Sequence, residues 1–305
     1  MAYDRNRREP ERAGRRGNRK EERVRAAELH VQKMEEAFAK EVERCASGTV
    51  AYDASPESGA EGRVPSVAVL DADGVTCVLE NGRGRFQFCD MAVLDFASFT
   101  TPGGGYVRGA MAQEQALCAE SLLYNVLKRQ GGWYGENRRR HINCHLYKNR
   151  GLVVPAVRFA RDKVHAYADV IVVAAPDARR AREEYGVGDD VLADAMRDRI
   201  RFALALADAT GREKLVLGAF GCGVFGWDAE QVAAMLREEL ASGDHVASEV
   251  YLAIPKSRFD ENLPKFEHEF SAFPEAPAAP YAPAPEPEPV REEESEDEDD
   301  WRKYL

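Results

Sequence analysis

Apolar residues recur at helical spacing through Glu21–Ala46, at Val24, Ala27, Val31, Met34, Phe38 and Val42, which predicts a helix with one packing face. Ser47–Val64 is rich in Gly, Ser, Pro and acids and reads as a linker. Ser66–Leu70 and Val75–Leu79 have the β-branched character of strands around Asp71-Ala72-Asp73-Gly74, which predicts a hairpin, and Arg85–Cys89 is a further strand candidate. Met91–Phe99 is apolar almost throughout, as in a strand covered on both faces, and Asp95 is expected to end it or to accept hydrogen bonds from local amides. Ala112–Arg129 has a helical pattern, closed by Gly131 and Gly132, and Trp133–His141 mixes aromatics with a basic cluster that reads either as a guide for an anionic ligand or as a basic surface loop. Strands are expected at Gly151–Val157, Ala168–Ala175, Lys214–Gly218 and Glu249–Ile254, and helices at Asp189–Ala209 and Asp228–Leu240. Strands alternating with helices from Ala168 onward predict an α/β sheet wrapped on both faces. Pro264 onward loses periodicity.

Composition changes this picture at the ends. The 305 residues carry a formal net charge of -11 and 44% hydrophobic residues, enough for a sizeable core. The first twenty-five residues are rich in arginine, whereas Arg291–Asp300 is an acidic run after the Pro/Ala/Glu-rich Phe273–Pro289. Both ends are expected to be disordered. The expected organisation is a basic tail over 1–20, a helical extension and linker over 21–64, a ligand-binding domain over 65–262 and an acidic tail over 263–305. The six cysteines lie without metal-ligand spacing and read as reduced thiols of a cytosolic protein. No signal peptide or membrane span is expected. His141 and His145 lack an evident third ligand and follow three arginines, so no metal site and no cofactor is expected.

Two stretches carry candidate chemistry. Thr101-Pro102-Gly103-Gly104-Gly105 follows the apolar strand, and Gln113-Glu114-Gln115 opens the next helix. Glycines let backbone amides approach a ligand closely, and successive inward N–H groups make a nest for an anion. With a helix start and a carboxylate nearby, this arrangement suits a phosphorylated sugar. Gly221-Cys222-Gly223-Val224-Phe225-Gly226 matches Gly-x-Gly-x-x-Gly between a strand and a helix. It lies late in the chain, unlike an ordinary dinucleotide unit, and Glu249 opens a strand where a ribose-binding acid would close one. Together the loops could grip the two ends of one diphosphate. Neither carries the Gly-Lys-Ser/Thr of a nucleoside-triphosphate loop.

These residues resemble a family. Gly103–Gly105 followed by Gln113-Glu114-Gln115 looks like the Gly-Gly-Gly … Gln-Glu-Glu signature of bacterial-type (microbial) poly(ADP-ribose) glycohydrolases. Leu217–Phe225 is similar to that family's second diphosphate loop, and Val93–Ser98 and Leu117-Cys118 also fit. The similarity runs from about Glu21 to Pro255. It implies a macrodomain-like three-layer α/β/α sandwich with a mixed sheet and an N-terminal helical extension. It also implies binding of ADP-ribose and hydrolysis of ribose–ribose bonds in its polymers. Apart from the resemblance, a monomer is expected, with ADP-ribose or an ADP-ribosylated protein or polymer as partner and neither nucleic acid nor membrane. By position, Gly103, Gly104 and Gly105 would face the diphosphate and distal ribose, and Gly221, Cys222, Gly223 and Val224 would wrap the diphosphate. Phe225 would pack on the sugar-phosphate end, beside Gly226. Thr101 and Gln113 complete the ligand-binding set, and Glu114 would meet ribose hydroxyls next to the scissile bond.

The chain departs from the signature at two places. Gln115 stands where the family places its catalytic Glu, and Thr101 where Asn often precedes Pro-Gly-Gly-Gly. An amide cannot deliver the proton that glycosidic cleavage needs, so Glu114 is the candidate acid/base and the activity is expected to be weakened. The alternatives are an ADP-ribose reader without hydrolysis, a dehydrogenase using Gly221–Gly226, and a nucleic-acid module using the arginine-rich head, against which the net acidity and missing aromatic platform argue.

Overall fold

A computed structural model describes residues 9–57 and 63–283. Of the expected tails, 1–8 and 284–305 lie outside the described residues, as does 58–62. The elements, in order, are α1 (Glu9–Ala37), α2 (Ala39–Ser47), β1 (Val50–Tyr52), β2 (Ser66–Leu70), α3 (Gly74–Asn81), β3 (Met91–Phe96), α4 (Gln113–Ala119), α5 (Leu123–Leu127), α6 (Gly131–Arg140), β4 (Gly151–Arg161), β5 (Val164–Val173), α7 (Ala178–Tyr185), α8 (Asp189–Thr210), β6 (Lys214–Leu217), α9 (Ala229–Ala241), β7 (Glu249–Ala253) and α10 (Asn262–Glu269).

The strands form one sheet in the order β1-β4-β5-β3-β6-β7-β2. Strands β5, β3, β6, β7 and β2 run parallel, and β4 and β1 are added antiparallel at one edge. Side chains alternate across β3. Ala92 and Leu94 join the core under α7, α8, α9 and α10, and Met91 and Val93 join the core under α1 to α5. The expected three-layer, macrodomain-like sandwich with a mixed sheet is therefore present. The predicted stripe on the N-terminal helix packs as read, with Ala27 and Val42 buried and Val31, Met34 and Phe38 partly buried against the second core.

Several segments differ from the sequence reading. The head expected to be disordered is helical from Glu9, and the linker contains β1, which pairs Val50 with Val153. Val75–Leu79 lies in helix α3 rather than in a strand. The Asp73 side chain caps that helix by accepting from the Thr76 N–H at 2.7 Å, and Val75 and Val78 then share a buried face. Arg85–Cys89 forms a turn of 3-10 helix. The helix expected over Ala112–Arg129 breaks between α4 and α5. There the Ser121 hydroxyl donates to Leu117 O and accepts from Leu123 N–H, while Glu120 O accepts from Ala160 N–H. Gly131 opens α6 instead of closing the preceding helix, so the basic stretch is helical. The tail expected from 263 begins as α10, whose Leu263 and Phe266 are buried beside Phe270. No helix among the described residues is long and apolar enough to cross a membrane.

Candidate active site

The parallel strands end along one edge of the sheet, where ligands of open α/β sheets bind. Strands β3 and β6 are neighbours there, and each runs into one of the glycine loops. Pairing between them stops at Val93 and Val216. Beyond that point Gln113 stands in for a strand, accepting from Phe96 N–H at 2.9 Å and donating to Leu94 O at 2.8 Å. Its amide is thus occupied by backbone, and it holds the two strands' exits apart. An aromatic cluster links the segment that enters the first loop to the second loop. Phe99 stacks on Tyr147 at 4.5 Å, Tyr147 meets Phe225 at 6.5 Å, and Phe96 meets Phe220 at 5.4 Å.

The first loop is tightly folded. Gly103 and Gly104 adopt φ of 59° and 57°, in the left-handed region. A Cβ on Gly104 would lie 2.7 Å from both Gln115 Nε2 and Glu114 Oε2, and one on Gly103 would lie 2.6 Å from the Tyr124 ring. The Gly104 N–H donates to Thr101 O, and the Gly103 N–H faces Glu114, so the expected run of free inward amides is partly occupied by the protein itself. In the second loop, Gly221 and Gly226 take φ of 80° and 77°, while the Cβ direction of Gly223 is open space. Arg179 holds this loop by donating to Phe225 O and Val224 O, and Trp227 Nε1 donates to Pro176 O. Burial pushes the Cys222 thiol up to about 12, so it stays protonated and contributes packing rather than a nucleophile.

The three trio side chains part company at the start of α4. Gln115, 8% exposed, lines a cavity of about 980 Å³ together with Phe96, Gln113, Ala219 and, from α1, Arg23 and His30. Its Nε2 donates to Gly103 O at 3.1 Å and lies 3.4 Å from Glu114 Oε2. Glu114, 3% exposed, turns inward, and its Oε2 accepts from Ser98 N–H at 2.9 Å. Among the described residues, Glu114 Oε1 and both oxygens of the fully buried Asp95 have no hydrogen-bond partner. The expectation that Asp95 would end the strand or find local amides is overturned, because β3 continues through it and its carboxyl faces Glu114 in the interior.

Burial pushes the Asp95 carboxyl up to about 8. Burial, reinforced by Asp95, holds Glu114 well above the usual carboxylate range. Two like-charged groups in one dry site cannot both ionise cheaply, so the pair retains a proton at neutral pH. An acid whose folded value lies above its unfolded value of 3.8 binds more protons folded than unfolded across that interval. Stability from this pair is therefore fully present at acid pH and is lost as pH rises towards 8. Asp95→Asn is expected to flatten the dependence of Tm on pH, gaining on the parent as pH rises from 5 to 8. Parallel profiles in a thermal-shift series would contradict this.

Arg199 and Arg108 have a part in the site and gave no sequence signal, whereas Arg138 belongs to the basic stretch read from the sequence. Arg199 is fully buried and donates to Ala174 O, Tyr147 O and Asn149 Oδ1. It fixes a connection in which Asn143, Cys144, His145 and Tyr147 all have positive φ, and so sets the Tyr147 ring against Phe99 and Phe225. Arg138 donates to Thr100 O and Arg108 to Gly104 O, placing two guanidiniums at the rim of the first loop. The dehydrogenase reading fails on geometry. Glu249 sits at the start of β7, at the opposite edge of the sheet, and Asp228 caps α9 where that reading needs a pyrophosphate. Among the described residues, no group of three His, Cys, Asp or Glu could hold a metal ion.

Residues 20–162 match the family model of the microbial-type PARG catalytic domain. The poly(ADP-ribose) glycohydrolase (PARG) of Thermomonospora curvata superposes with a TM-score of 0.68 at 26% identity, over 81% of this chain and 98% of that one. The same enzyme bound to the inhibitor ADP-HPD gives 0.66 at 25%, over 81% and 97%. The Deinococcus radiodurans enzyme in complex with ADP-ribose gives 0.66 at 26%, over 76% and 98%. No curated protein matches the chain. The resemblance read from the glycine loops and the Gln-Glu-Gln trio is therefore borne out in both family and fold.

Proposed function

We propose, on the premise that the chain carries a microbial-type poly(ADP-ribose) glycohydrolase catalytic domain, that it binds ADP-ribose between its two glycine loops and cleaves ribose–ribose bonds of ADP-ribose polymer slowly. The observation that carries this reading is the placement of the trio. Gln113 and Gln115, both amides, line the cavity, Gln113 is held by backbone, and the carboxyl that holds a proton, Glu114, lies behind Gln115.

The residues divide the work as follows. The loop at Thr101 and Gly103–Gly105 and the loop at Gly221–Gly226 close on the diphosphate, with Phe225 against the sugar-phosphate end. Gln115 hydrogen-bonds the ribose next to the scissile bond but cannot exchange a proton with it. Cleavage requires a proton on the departing oxygen and a base for the attacking water. Glu114 takes both parts in this chain, giving its proton to the departing oxygen and, as the resulting carboxylate, taking one from the attacking water. The Ser98 N–H holds one of its oxygens, and burial keeps it protonated. Hydrolysis therefore falls as pH rises and the buried pair loses its proton.

Incubation with ADP-ribose polymer is expected to release free ADP-ribose slowly. Glu114→Gln should abolish release and leave calorimetric affinity for ADP-ribose within a few-fold of the parent. Tight binding with no release from the parent would make the protein a reader instead. We further place the protein in the cytoplasm as a monomer. The six unpaired thiols, four of them buried, support a reducing compartment.

A further inference from the structure

The end of the sheet away from the glycine loops carries a surface that the proposed function does not use. Residues 83–88, Arg-Gly-Arg-Phe-Gln-Phe, are exposed one after another. They lead into β3 and run beside the start of β5, where Arg83 pairs with Tyr167. In a strand, Phe86 and Phe88 would share one face and could be covered together. The 3-10 turn over Phe86–Phe88 instead leaves them 42% and 63% exposed.

These rings are set among cations. The Arg44 guanidinium lies over the Phe86 ring at 4.7 Å, and Phe86 meets Tyr167 edge-on at 6.4 Å. Arg158 donates to the Tyr167 hydroxyl, which donates to Glu41. Arg83 and Lys214 share the Asp90 carboxylate, and Arg85 has no carboxylate partner among the described residues. Five cations (Arg44, Arg83, Arg85, Arg158 and Lys214) thus meet two carboxylates, Glu41 and Asp90, in a chain whose net charge is -11. The net acidity that argues against nucleic acid is not shared by this face. Arg83, Gly84, Arg85 and Phe88 line an open depression of about 590 Å³ there.

We propose that this face binds single-stranded nucleic acid, with bases stacked on the Phe88 and Phe86 rings and phosphates held by Arg83 and Arg85. Charge complementarity fixes the partner as an anion. Every base has a π-face, so an exposed ring flanked by cations is enough to take one, whatever the sequence. An acidic peptide would pair with the arginines, but its anchor side chains need an enclosed pocket, and the depression is open. The bases of a duplex are stacked on each other and cannot reach the rings. The inference goes beyond ADP-ribose binding and does not depend on it.

The test uses the full chain and a labelled single strand of about twelve thymidylates, followed by fluorescence anisotropy between about 50 and 200 mM salt. The parent is expected to bind with a dissociation constant of about 10⁻⁵ M, within the range of sequence-independent binding. Phe88→Ala should weaken binding about tenfold with the salt slope unchanged, because it removes a stacking face and no charge. Arg85→Gln should reduce the slope of log affinity against log salt by about 0.7, the value of one phosphate contact on a single strand. Both variants should keep the Tm of the parent, which reports an intact fold. A parent that does not bind the strand would overturn the inference. Binding that neither substitution weakens would place the strand on another surface and overturn it too. Duplex DNA bound as tightly as the single strand would remove the stacking. An acidic peptide of equal charge, or ADP-ribose polymer, bound as tightly and with the same loss in Phe88→Ala would assign the face to that ligand instead. A parent that binds the strand but not ADP-ribose would overturn the proposed function and leave this inference standing.

Discussion

Gln115→Glu is expected to raise the rate of ADP-ribose release from polymer by about 10²–10⁴, the span supplied by a positioned general acid. The substitution is nearly isosteric, so the new carboxyl would occupy the cavity-lining position of the amide. There it would face Gly103 O, now 3.1 Å from the amide nitrogen, and Glu114 Oε2 at 3.4 Å. Two oxygens at that range disfavour the ionised form and keep the new group protonated near neutrality, as a general acid requires. The gain should appear in kcat with KM little changed, because the amide already makes the ground-state contact. A gain of less than about threefold would mean that position 115 does not face the scissile bond.

Gly104→Ala is expected to slow ADP-ribose release from polymer by about 100-fold, the scale reached when reacting groups are misplaced by about 1 Å, and to weaken ADP-ribose binding. The added methyl would fall 2.7 Å from both Gln115 Nε2 and Glu114 Oε2, and the φ of 57° already disfavours any side chain. Left-handed backbone costs about 1–2 kcal/mol in an L-residue, so Tm falls as well. Gly223→Ala is the matching control. Its Cβ would meet nothing within 4 Å and its φ is ordinary, so Tm should hold while affinity falls if that space belongs to the diphosphate. A Gly104→Ala protein that binds ADP-ribose like the parent would remove the first loop from the site.

What the sequence revealed follows from how each segment is stabilised. The strands that enter the two loops were legible because they are covered on both faces, so Met91–Leu94 and Leu215–Leu217 read as unbroken apolar runs. Helix α3 was hidden by its β-branched residues, whose strand preference yields to the Asp73 cap and to packing of Val75 and Val78. Helix α7 was hidden for the opposite reason, since it buries little beyond Ala178 and Ala181. Helix α10 tolerates Pro264 in its first turn, where no intrahelical N–H is required. The loops and the trio were visible as motifs, and local rules also announced the departure at Gln115. The buried Asp95–Glu114 pair was not foreseeable, because a lone acid in an apolar run argues against burial and only the fold brings its partner to it. Arg199 likewise read as one more charge on a helix, and its partners Tyr147 O and Asn149 Oδ1 come from chain about fifty residues away.

The central claim is that one diphosphate lies between the two glycine loops with the distal ribose against Gln115. A crystal structure with ADP-ribose bound tests it most directly. The account predicts the diphosphate between Gly103–Gly105 and Gly221–Gly226, with the C1″ carbon beside the Gln115 amide and Glu114 behind it. A ligand held elsewhere, or a ribose that meets neither Gln115 nor Glu114, would contradict it.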